Sequence, residues 1–96
     1  MRIVEPWIKV EKIDGVSGES LAGAQIEVKS LTDGTTYSGT TQTGGSLNLA
    51  ELKPGAYEVI ELTAPKGYKL DDKTYTTKVN AGEVTTITLK NYANPG

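Results

Sequence analysis

Apolar and polar residues alternate along this chain in short runs of period two, the spacing of half-buried β-strands. In "WIKVEKID", residues 7–14, Ile8 and Val10 share one face and Lys9 and Glu11 take the other. A first strand is therefore expected over about Trp7 to Ile13, ending at "DGVSGE". A second runs from Ala24 to Ser30, with Ala24, Ile26 and Val28 inward and Gln25, Glu27 and Lys29 outward. "TDGT" turns it into a third around Thr35 to Thr41. "SLNLAEL" puts Leu47 and Leu49 in phase, and "KPG" turns the chain into a strand from Ala56 to Leu62. "APKGY" breaks that strand. Tyr75, Thr77 and Val79 share a face of the next, which spans Lys73 to Val79. "NAGE" reads as a tight hairpin into a last strand from Val84 to about Tyr92. Turn signals every 8 to 12 residues or so, and the absence of helical periodicity, predict an all-β sandwich or barrel.

Three polar residues break this pattern. Lys12 continues the Ile8–Val10 face, and Asn91 continues the face of Ile87 and Leu89. Glu61 continues the face of Tyr57 and Val59, although Ile60 and Leu62 make the opposite face a competing choice of core side. An amine, a carboxyl and a carboxamide thus each end an apolar stripe. Buried alone, each would cost several kcal/mol, so they either meet or avoid the core. If they meet, one outcome is a buried Lys12–Glu61 ion pair with Asn91 hydrogen-bonded to it. The other is an amide bond between Lys12 and Asn91. Burial disfavours charged forms, a neutral amine is a nucleophile, and a carboxylic acid can polarise the Asn91 carbonyl and relay protons to departing ammonia. Fixed proximity would supply the remainder.

Competing residues have simpler roles. Lys9 lies on the opposite face from Lys12, Glu58 is out of phase with Glu61, Asn80 belongs to its turn, and Asn94 precedes Pro95 beyond the last strand. Asp71 and Asp72 are a weak calcium signal and read as a solvated loop. Tyr57 and Tyr68 read as packing residues, and Trp7 as packing near a strand end or a neighbouring module.

Composition narrows the chemistry further. The 96 residues suffice for one domain with one modest core. Thirteen threonines and five tyrosines reinforce the strand reading. The net charge of −2 argues against nucleic acid. Cysteine and histidine are both absent, which removes disulfides, thiol nucleophiles, the common transition-metal ligands and a Ser-His-Asp triad. Any covalent brace must use other chemistry. No apolar run approaches a membrane span, and "MRIVEPW" lacks a signal peptide's apolar centre. The chain reads as a module cut from a longer protein, a single domain over 1–96 with its core over about 7–92 and residues 93–96 starting a linker.

Three separated blocks carry a family resemblance. "KIDGVSGESLAGAQIEV", "LAELKPGAYEVIELTAPKGY" and "ITLKNYANPG" together resemble the Cna B-type domain, also called the SpaA-like or prealbumin-like domain, of Gram-positive surface adhesins and pilins. The resemblance covers roughly residues 7 to 92. It implies a β-sandwich of about seven strands with reversed immunoglobulin-like topology. It implies a spontaneous isopeptide bond, with Lys12 and Asn91 joined, Glu61 as the proton shuttle, and ammonia lost. The implied role is a structural stalk module at the cell wall, extracellular on a Gram-positive bacterium, monomeric as an isolated domain. Its partners would be neighbouring modules of the same protein, with host matrix ligands left to other domains. No cofactor, metal, nucleic acid or membrane insertion is implied, and turnover of an external substrate is not expected. The rival reading is a ligand-binding sandwich, for matrix protein or carbohydrate, with an unreacted Lys/Glu/Asn cluster. Its contact candidates are Trp7, Tyr37 and Tyr92.

Overall fold

The computed structural model describes residues 7–49 and 52–95, with Trp7 described in its backbone only. The packing expected of the Trp7 side chain, and the stretch at Ala50 and Glu51, lie outside the described residues. Among the described residues there are seven strands: β1 (Trp7–Asp14), β2 (Gln25–Ser30), β3 (Thr36–Thr40), β4 (Ser46–Leu49), β5 (Gly55–Thr63), β6 (Tyr75–Val79) and β7 (Val84–Asn91). They form a three-stranded sheet in the order β4-β1-β7 and a four-stranded sheet in the order β3-β2-β5-β6. Among the described residues there is no helix. All-β architecture is thus as expected.

The two inner faces make one core. Ile8 and Val10 of β1 and Leu89 of β7 face Ile26 and Val28 of β2, Tyr57 and Val59 of β5, and Val79 of β6. Every one of these side chains is buried, because the period-two pattern of each strand delivers its apolar set to the same side. Ala24 and Leu52 complete the cluster from the connecting segments.

Two pairings position the site. First, β1 and β7 run parallel, although they stand at opposite ends of the chain, with Lys12 opposite Leu89 and Asp14 opposite Asn91. Lys12 and Asn91 therefore lie two positions apart on the same face of adjacent strands. Second, β5 is central in the facing sheet, with Ile26 paired to Glu61 and Gln25 to Thr63. Leu62 is the extra residue of a bulge there. It points outward, 46% exposed, while Glu61 stays inward.

One local expectation is corrected. "NAGE" does form a turn, with the Glu83 amide donating to the Asn80 carbonyl at 3.2 Å. The strands it joins are not a hairpin pair, because β6 belongs to the four-stranded sheet and β7 to the three-stranded one. The turn carries the chain from one layer to the other.

Candidate functional site

The three out-of-pattern residues meet between the sheets. Lys12, Glu61 and Asn91 are all buried, with relative exposures of 0%, 6% and 1%. Lys12 Nζ stands 2.9 Å from Glu61 Oε1. Asn91 Nδ2 donates to Glu61 Oε2 at 2.9 Å and to the Lys69 carbonyl at 2.7 Å. One carboxylate thus faces the amine with one oxygen and the carboxamide with the other.

The Lys12–Glu61 contact is close without being a well-formed hydrogen bond. Its distance is that of an ion pair, yet Nζ and Oε1 are both buried without a hydrogen-bond partner. At this separation the amine and the carboxyl are in contact, and neither atom completes a hydrogen bond. Asn91 Oδ1 is also buried without a partner. The carboxamide orientation follows from its surroundings: the Lys69 carbonyl can only accept, so nitrogen must face it. The sequence reading has Glu61 acting on the Asn91 carbonyl oxygen. In the observed arrangement Glu61 faces the carboxamide nitrogen instead.

Each member is held by backbone. The Lys12 amide donates to the Gly45 carbonyl at 2.7 Å, and the Lys12 carbonyl accepts from Leu21 at 2.8 Å. These bonds continue β1 past the end of β4, whose pairing stops at Glu11–Ser46. Gly45 has φ of 76°, and a Cβ there would stand 2.7 Å from the Lys12 carbonyl oxygen. Only glycine allows this approach. Glu61 Oε2 also accepts from the Asp71 amide at 2.7 Å.

The segment after β5 borders the whole site. Lys69 and Asp71 supply the backbone groups just named. Tyr68 sends its hydroxyl to Asp14 Oδ2 at 2.8 Å. Asp14 Oδ1 meanwhile accepts from the amides of Val16 at 2.7 Å and Ser17 at 3.0 Å. Those Ser17 and Val16 amides, with the Tyr68 hydroxyl, hold the Asp14 carboxyl below the usual carboxylate range. The bond to Asp14 raises the Tyr68 phenol in turn.

The rival residues fall where alternation puts them. Lys9 pairs with Glu11 at 3.4 Å on the outer face, both about two-fifths exposed. Asp71, a weak calcium candidate, engages its carboxylate with the Lys73 amide and the Tyr75 hydroxyl. Tyr37 packs partly buried against the core, and Tyr92 lies half-exposed beside Gly15. Sequence reasoning missed the Lys69 carbonyl and the Asp71 amide. Both are main-chain groups, and residue identity carries no signal for them.

Residues 6–93 match the SpaA family, described as a prealbumin-like fold domain. The chain is 36% identical over 87 residues to the trypsin-resistant surface T6 protein of Streptococcus pyogenes, covering 91% of this chain and 16% of that protein. The Bacillus anthracis TIE protein superposes with a TM-score of 0.86 at 32% identity, over 94% of this chain and 17% of the other. The group B streptococcus pilus 2b backbone protein gives a TM-score of 0.79 at 25% identity, over 93% of this chain and 41% of the other.

Proposed function

This chain belongs to the SpaA family of prealbumin-like domains, and from that premise we propose that it is a load-bearing stalk module of a Gram-positive cell-surface protein, locked by an amide bond between Lys12 and Asn91. The observation that carries this reading is the bridging of Lys12 Nζ and Asn91 Nδ2 by the two oxygens of buried Glu61. The chemistry follows from that placement. A proton moves from Nζ to Oε1, which turns the buried ion pair into a neutral amine and a carboxylic acid. The amine attacks Asn91 Cγ and a carbon–nitrogen bond forms. A proton passes through the Glu61 carboxyl to Nδ2, the Cγ–Nδ2 bond breaks, and ammonia leaves. Of the two protons Lys12 loses, one departs on ammonia and one remains on Glu61. The domain performs this once on itself and turns over no external substrate.

The mechanical role follows from the parallel β1–β7 pairing. Tension from neighbouring modules would enter ahead of Lys12 and leave after Asn91. A bond between those residues carries the load across adjacent strands and shields the chain between them. The partners on this reading are sister modules of the same surface protein, with ligand binding left to other domains. Of the contact candidates for the ligand-binding alternative, Tyr37 packs partly buried against the core and Tyr92 is half-exposed.

Single-molecule pulling between flanking marker domains tests the role. The parent chain should resist without releasing its length. Lys12→Ala should extend by roughly 25 nm, set by about 3.3–3.6 Å per residue of freed chain. A parent chain that extends as far as Lys12→Ala refutes load-bearing by this bond.

A further inference from the structure

The segment from Pro65 to Asp71 touches two of the three reacting side chains and is itself tied across both strands that the bond would join. Its Lys69 carbonyl accepts from Asn91 Nδ2 at 2.7 Å, and its Asp71 amide donates to Glu61 Oε2 at 2.7 Å. Beyond Asn91 the chain pairs back onto it. The Lys69 amide donates to the Tyr92 carbonyl at 2.9 Å, the Asn94 amide donates to the Gly67 carbonyl at 2.9 Å, and Tyr68 bridges Ala93. On the other side, the Tyr68 hydroxyl reaches Asp14 at 2.8 Å. Asp14 is the residue in register with Asn91.

We propose that this segment is a clasp that brings the crosslinking site into reactive geometry, with Tyr68 and Asp14 as its positioning residues; the proposal rests on the crosslinking reading above. The physical reason lies in what the clasp grips. A carboxamide is a poor electrophile, and its rate of attack depends on how long it is held in line with the amine. Asn91 Nδ2 has two hydrogens, and both are committed, one to Glu61 and one to Lys69. If the clasp lifts, the Lys69 bond is lost and the carboxamide is free to rotate. Glu61 loses the Asp71 amide at the same moment. The site also admits water, which weakens every electrostatic contact in it.

Tyr68 and Asp14 touch none of the reacting atoms. Their bond instead pins the clasp to the end of β1, while the ladder to residues 92–94 pins it to the end of β7. Gly67, at φ of 87°, allows the sharp reversal that makes both anchors reachable. A tyrosine retained only for packing would have no use for its hydroxyl here. Phenylalanine would fill the same space and leave the clasp held by one strand only.

The test is the rate of ammonia loss in the full chain, followed by intact mass after a pulse of cell-free synthesis. Tyr68→Phe should slow the reaction about tenfold, the population effect of losing one hydrogen bond to a charged group. Asp14→Ala should slow it similarly, and the double variant should be no slower than the slower single one. Asp14→Asn, which keeps an acceptor oxygen, should recover part of the rate. Once each variant has fully crosslinked, amide hydrogen exchange in β2 and β5 should return to parental protection. Tyr68→Phe reacting at the parental rate overturns the clasp and leaves the crosslink standing. Slowing in a variant whose crosslinked form has also lost core protection counts against it, as a merely structural effect. A parent chain that never loses ammonia overturns the crosslinking reading and the clasp with it.

Discussion

Replacing Asn91 by alanine removes the electrophile and leaves the Lys12–Glu61 pair in place, so its cost separates the covalent bond from the contacts around it. On the crosslinking account the parent encloses a loop of about 79 residues. Chain-entropy reasoning gives about 4 to 5 kcal/mol for closing a loop of that length. The local loss is smaller. The Lys69 carbonyl loses its donor, while Glu61 Oε2 keeps the Asp71 amide at 2.7 Å. The lost Asn91–Lys69 bond is part-buried and is worth about 0.5–1.5 kcal/mol. Asn91→Ala should therefore lose about 6 kcal/mol, a large share of the 5–15 kcal/mol typical of a domain. For a chain of this size that lowers Tm by roughly 25 °C or more. Guanidinium unfolding of both chains measures it. The m value supplies an independent check: a crosslinked unfolded chain exposes less surface, so the variant should show the larger m. A loss below about 3 kcal/mol with unchanged m is what hydrogen bonds alone would produce, and it would refute the reasoning.

Gly45→Ala should destabilise the fold by roughly 1–3 kcal/mol and lower the crosslinked fraction, because the new Cβ meets the Lys12 carbonyl oxygen at 2.7 Å; thermal unfolding and intact mass report the two effects. Tyr75 gives the alkaline prediction. Burial and its hydrogen bond to Asp71 raise its phenol to about 12. The folded state then keeps a proton that the unfolded chain releases near pH 10. Stability from this group is full below about pH 10 and is lost as pH rises toward 12. Tyr75→Phe should flatten that part of the stability–pH profile measured by denaturant titration, and an unchanged slope would contradict it.

Much of the site was legible because strand parity is a strong constraint. Lys12 and Asn91 each extend an apolar stripe without ambiguity, and both are buried. Glu61 was harder, since Ile60 and Leu62 offer an equally apolar opposite face. The choice is made by sheet packing: Tyr57 and Val59 meet the other layer, and the bulge at Leu62 turns that residue out. The β6–β7 turn misled for a related reason. Asn80 and Gly82 encode a turn locally, but which sheet each strand joins depends on partners far away in sequence. The role of Tyr68 was hidden differently. Its ring suggests packing, and only the folded chain brings its hydroxyl to Asp14, 54 positions away.

The intact mass of the folded parent chain tests the central claim most directly. The account predicts a mass one ammonia below that of the sequence, with the full mass restored in Lys12→Ala and, apart from the substitution itself, in Glu61→Ala. A folded parent chain at its full sequence mass would contradict it.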